Sequence, residues 1–166
     1  MSSTTIEEQV VKYLTDAHAI EEQALAQMRA APRIAKDERL AQVFRDHHAE
    51  TERHERLVRE RLEAHGASPS KLKDAALRTG AVNWSGFFAA QPDTPGKLAA
   101  FTFAYEHLEI GGYELLRRVA ERAGDLETAS VVERIAEQER AAARIIASRF
   151  DRAVEASLAA QGVGVA

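Results

Sequence analysis

Four glutamates stand out because each is aimed into an apolar stripe. At about 100° per residue, Val10, Leu14, Ala17, Leu25 and Met28 fall within about 40° of one line, with Glu21 at its centre. A second stripe, built from Leu40, Val43, Phe44, Val58 and Leu62, is interrupted by His47, Glu50, Thr51 and His54. In the third, Leu98, Tyr105, Gly112, Tyr113, Leu116 and Ala120 surround Glu109, and Glu106 lies about 60° away at the edge. The fourth, Val132, Ile135, Ala143, Ile146 and Phe150, surrounds Glu139. An ionised carboxylate alone in a dry core is very costly, so a chain that does this four times must neutralise the acids together. A bound cation would do so.

Carboxylates with one or two imidazoles suit iron or manganese, with zinc as an alternative. Glu21, Glu50, Glu109 and Glu139 are the candidate oxygen ligands. His47 and His54 both remain candidates for the nitrogen ligand, being about 60° and about 40° from Glu50 on the same face. The competing reading is a scaffold protein that oligomerises, its core acids paired with arginines such as Arg53, Arg61 or Arg149. His18, His48, His65 and His107 read as helix-surface residues, and Tyr105 and Tyr113 as core residues. With no cysteine in the chain, thiolate chemistry, disulfides and sulfur-ligated metals are excluded.

The positioning elements are helices. Ala, Leu, Glu, Arg and Gln recur at helical spacing and β-branched alternation is nearly absent, so the expected class is all-α. The spacing predicts helices over about 5–30, 36–65, 94–123 and 125–158, punctuated by Pro32, Gly66, Pro69, Thr94-Pro95 and Gly124-Asp125. Short first and third links and a long crossover, 66–93, predict a ferritin-like up-down-down-up bundle in which the second and third helices run the same way. The crossover itself reads as a short helix at Ser70 to Arg78 and an apolar cluster of Trp84, Phe87 and Phe88 against the bundle. All four acids fall near mid-helix, in one layer whichever way the helices run.

The 166 residues fit one domain, 1–166. A net charge of −4 with both signs interspersed argues against nucleic-acid or anionic-membrane binding, which needs a clustered basic face. Neither a signal-like N-terminus nor a run of about 18 apolar residues is present, so a cytoplasmic protein is expected. Apolar residues outside the stripes, Ile110, Leu115 and Ile145, point to a homodimer.

Several segments carry a family likeness: Tyr13 to Gln23 around Glu21, His47-His-Ala-Glu50-Thr51-Glu-Arg-His54, Tyr105-Glu106-His107-Leu-Glu109-Ile-Gly-Gly-Tyr113, Ser68 to Asp74, and Glu133 to Ala142. Over residues 6–150 the chain resembles the YciF-like, ferritin-like stress-response family. That resemblance implies a four-helix bundle, often dimeric, linked to bacterial stress responses and to a di-iron centre, where ferrous iron would be oxidised by dioxygen or peroxide. Rubrerythrin-type sites carry Glu-x-x-His on two helices. This chain has Glu50-x-x-x-His54 and places Ala142 three residues after Glu139.

Overall fold

The computed structural model describes residues 4–70 and 94–164. Within them the helices are α1 (Ile6–Met28), α2 (Ala31–Ile34), α3 (Glu38–Ala64), α4 (Thr94–Ala123), α5 (Leu126–Ala147) and α6 (Phe150–Ala160). Four of them close a ring in which α1 packs on α3 and α4, and α5 on the other sides of the same two helices. At one end Val10 and Leu14 of α1 meet Val58 and Leu62 of α3, Leu116 of α4, and Val132 and Ile135 of α5. At the other end Leu40 and Phe44 of α3 meet Leu98 and Ala99 of α4. Helices α3 and α4 therefore both begin at the second end and run parallel, with α1 and α5 opposed to them. This is the up-down-down-up arrangement that the link lengths predict. The expected crossover cluster of Trp84, Phe87 and Phe88, and most of Ser70 to Arg78, lie outside the described residues.

Local sequence sets the helix ends. Thr5 and Glu8 form a reciprocal capping box at the start of α1, Glu8 N–H donating to Thr5 Oγ1 at 3.1 Å and Thr5 N–H to Glu8 Oε2 at 2.9 Å. Asp37 caps α3 by accepting from Leu40 N–H at 2.8 Å. Gly124, at φ 74°, reverses the chain after α4, a left-handed conformation that glycine adopts without a Cβ clash. The next residue, Asp125, donates its N–H to Ala120 O at 2.9 Å and accepts from Thr128 N–H at 3.0 Å. One residue thus finishes α4 and starts α5.

Two expected helices are shorter than their apolar patterns. The first ends at Met28, and Pro32 is taken up at the start of the single-turn α2. The fourth breaks at Ser148 and Arg149 without any proline or glycine. There Arg149 N–H bonds Ile146 O, three residues back, at 2.9 Å, and Ser148 Oγ–H bonds Ile145 O at 2.7 Å. The tightened turn redirects α6 onto the first turns of α4, where Ser157 Oγ accepts from Gly96 N–H at 2.8 Å and Phe150 meets Phe103 edge-on at 5.5 Å. Arg152 reaches back to Asp37 at 3.0 Å.

Candidate metal centre

Between the two apolar ends lies a polar layer to which α1, α3, α4 and α5 all contribute. Glu21, His47, His54, Glu106, Glu109 and Glu139 are all buried. Mid-helix placement and 3.6-residue spacing bring them there: His47 and His54 are seven residues apart on α3, and Glu106 and Glu109 three apart on α4.

Two triads share one acid. In the first, His54 Nδ1 bonds Glu139 Oε1 at 2.7 Å and lies 4.0 Å from Glu21 Oε1. In the second, His47 Nε2 bonds Glu106 Oε1 at 2.9 Å and lies 4.0 Å from Glu139 Oε2. Each triad offers three ligand atoms within 4.8 Å of one another, and Glu139 belongs to both. His54 Nε2 faces Gln138 Oε1 at 3.1 Å, a contact that orients the ring. Tyr113 donates its hydroxyl to Glu21 Oε1.

Many atoms in this layer find no donor or acceptor from the protein. Glu21 Oε2, Glu106 Oε2, Glu109 Oε1, Glu139 Oε2 and His47 Nδ1 are buried without a hydrogen-bond partner. Among the described residues no arginine or lysine lies within ion-pair distance of Glu21, Glu106, Glu109 or Glu139. The arginines forming cross-helix pairs serve other acids: Arg61 holds Asp125 and Glu127, and Arg140 holds Glu114. Carboxylates and imidazoles presenting idle lone pairs to a common centre are the donor set that a hard or borderline divalent cation takes.

Without a cation the layer is managed by protons. Burial, followed by the charge of Glu139, pushes Glu21 up to about 8. Burial likewise pushes Glu106 up to about 8, even though its hydrogen bond with His47 works the other way. Burial and the charges of Glu139, Glu21 and Glu106 hold Glu109 well above the usual carboxylate range. Glu139 behaves oppositely: burial favours its neutral form, but its hydrogen bond with His54 and the charges of His54 and His47 help to keep the carboxyl below its ordinary value. Burial also opposes charge on His47, yet the carboxylates of Glu106 and Glu50 lift it to about 10. His54 moves the same way, its burial overcome by Glu139 and Glu21. Burial thus favours the neutral forms of Glu21, Glu106 and Glu109, whereas His54, His47 and Glu139 favour one another's charged forms.

Glu50 sits at the rim. Its carboxylate is 3.9 Å from His47 Nδ1 with a quarter of the side chain exposed, and the nearby His47 imidazole holds it below the usual range. Beside it a pocket of about 450 Å³ between α3 and α5 reaches His47 from the surface.

A family model described as a domain of unknown function, DUF892, matches residues 5–159. The chain belongs to the DUF892 family. Solved structures share the fold of this DUF892 chain. A protein from Xanthomonas campestris pv. campestris is 28% identical with a TM-score of 0.79, over 96% of this chain and 100% of that one. The Escherichia coli stress protein YciF is 22% identical with a TM-score of 0.80, over 92% of this chain and 99% of that one. YcfI of Rhodopseudomonas palustris, described as a structural protein, is 21% identical with a TM-score of 0.76, over 86% and 93%. These neighbours fit the YciF-like resemblance read from the motifs.

Two features of the DUF892 chain escape a stripe-by-stripe reading. Glu106, at the edge of its stripe by angle, is almost fully buried because α3 brings His47 against it. His18, expected on the surface, is also buried, with Nε2 bonded to Glu55 Oε1 at 2.9 Å between α1 and α3. Spacing within one helix cannot reveal either pair, since the partner lies on another helix. His65 is likewise only partly exposed and bonds Asp125 at 2.8 Å, linking the end of α3 to the start of α5.

Proposed function

We propose that this chain is a ferritin-like metal protein whose core holds two divalent ions, iron in the first instance, with manganese or zinc as alternatives. His54, Glu21 and Glu139 would hold one ion and His47, Glu106 and Glu139 the other, with Glu109 and Glu50 adding oxygen from α4 and α3. One observation carries the reading: buried carboxylate and imidazole atoms converge without a hydrogen-bond partner and without an arginine or lysine among the described residues. The arginine-paired scaffold requires such a cation beside these acids, and among the described residues none lies within ion-pair distance.

Two iron or manganese ions in a dry carboxylate cage would each supply one electron, with dioxygen or peroxide as acceptor. The chain's own part is to fix geometry. Tyr113 and Gln138 orient Glu21 and His54, the apolar clusters at both ends exclude water, and Glu106 and His47 hold protons that metal binding would release. A role in stress response follows from the description of Escherichia coli YciF and from the shared fold. No helix among the described residues is long and apolar enough to cross a membrane. Leu108 and Leu115, seven residues apart on α4 and each 55% exposed, support a homodimer. Sedimentation at micromolar concentration tests it, and an 18.3 kDa species alone would refute it.

The direct test is elemental analysis of protein purified without chelator, then of metal-free protein reloaded with Fe(II) or Mn(II). About two ions per chain are expected. No bound metal under either condition would overturn the reading.

A further inference from the structure

The wall between α1 and α4 has a gap at the level of the acids. A pocket of about 130 Å³ occupies it, with the half-buried Tyr13, Asp16 and Ile20 around the rim and the almost fully buried Glu109 as its inner end. Ala17 and Gly112 line it where the helices face each other, so one side contributes a methyl group and the other no side chain. A Cβ built on Gly112 would meet nothing within 4 Å. Taking about 30 Å³ per water, the space holds about four waters, enough for a cation that keeps part of its hydration shell. Glu109 joins pocket to cluster: its Oε1 is buried without a hydrogen-bond partner, and its charge couples to those of Glu139, Glu21 and Glu106.

The other route inward differs in charge. The α3–α5 pocket that reaches His47 and Glu50 is flanked by Arg53 and Arg149 as well as Asp46. Arg53 and Arg149 there stand against Asp46 and Glu50, whereas no arginine or lysine among the described residues lines the α1–α4 pocket.

We propose that the α1–α4 gap is the port by which a hydrated divalent cation enters the core, Gly112 leaving the passage open and Glu109 accepting it first. This rests on the metal-site reading, and the test separates the two. Metal-free protein is mixed anaerobically with Fe(II), quenched with chelator at successive times, and its bound iron counted, giving a loading rate and a final stoichiometry. Gly112→Leu is expected to slow loading on the order of tenfold while the final iron per chain stays the same. Gly111→Leu, on the neighbouring exposed position, is expected to load like the parent. Tyr13→Ala, which widens the rim, is expected to load faster and keeps the proposal testable should Gly112→Leu fail to fold. Unchanged rates in both Gly112→Leu and Tyr13→Ala, with full final loading, would overturn the port and leave the metal site standing. No iron in the parent protein would remove the site itself.

Discussion

Tyr113 of α4 donates its hydroxyl to Oε1 of Glu21 on α1, so one oxygen of that buried carboxyl is fixed while Oε2 has no partner. The bond also lowers the carboxyl's proton affinity, working against burial. Tyr113→Phe should therefore weaken metal binding by raising Glu21 further, and should cost the metal-free bundle about 1–3 kcal/mol for a stranded acceptor. Calorimetric metal titration and a denaturant melt read the two effects. Unchanged affinity would mean that Glu21 is not a ligand.

Removing the shared acid should differ from removing an unshared one. Glu139→Ala is expected to abolish both ions, whereas Glu21→Ala or Glu106→Ala should each leave about one per chain, as elemental analysis would reveal. Equal losses in all three variants would contradict the two-triad arrangement.

Glu109→Ala tests the electrostatic load. Glu109 has no cationic partner among the described residues, so in chelator the variant should be as stable as the parent or more so, while losing the melting-temperature gain on adding metal. An arginine-paired acid would behave in the opposite way, its loss costing about 3–5 kcal/mol. A destabilised, metal-indifferent variant would count against the site.

The direction of pH dependence follows from the same groups. Glu21 and Glu106 rise from an ordinary 4.5 to about 8, and His47 from 6.5 to about 10. Each binds protons more tightly when folded, so its stabilising contribution is complete below the ordinary value and disappears as pH climbs through the folded one. The metal-free protein should lose melting temperature from about pH 5 to pH 10 through these groups. Glu139 and Glu50, held low, act the other way and withdraw stability as pH falls through their folded values. Added metal should give its largest gain at the alkaline end, where the ligands are already deprotonated. A metal-free melting temperature that rises across that window would refute the assignment.

Ser157 offers a control far from the chemistry. Its Oγ satisfies Gly96 N–H in the first turn of α4, so Ser157→Ala should cost about 1 kcal/mol in a denaturant melt and leave metal stoichiometry unchanged.

The fold was legible because its signals are local. Gly124 and Asp125 mark a helix end through bonds spanning a few residues, and unequal links dictate which helices run parallel. Glu21, Glu109 and Glu139 were legible as acids at the centres of apolar stripes. Glu106, His18 and the break at Ser148 were not, because each is decided by a partner on another helix: His47, Glu55, and the α4 surface that receives α6. Glu50 shows the converse, since its angle places it in the stripe while the gap between α3 and α5 leaves it at the rim.

The parallel course of α3 and α4 divides the layer unevenly between the two halves of the chain. Both imidazoles come from the first hairpin, 4–70, together with Glu21 and Glu50, whereas Glu106, Glu109 and the shared Glu139 come from the second, 94–164. Neither triad can be assembled from one hairpin. A bound cation would thus act as a clasp between two half-proteins, and a chain severed between them should reassemble more readily with metal than without it, making assembly of the bundle itself a readout of cation supply.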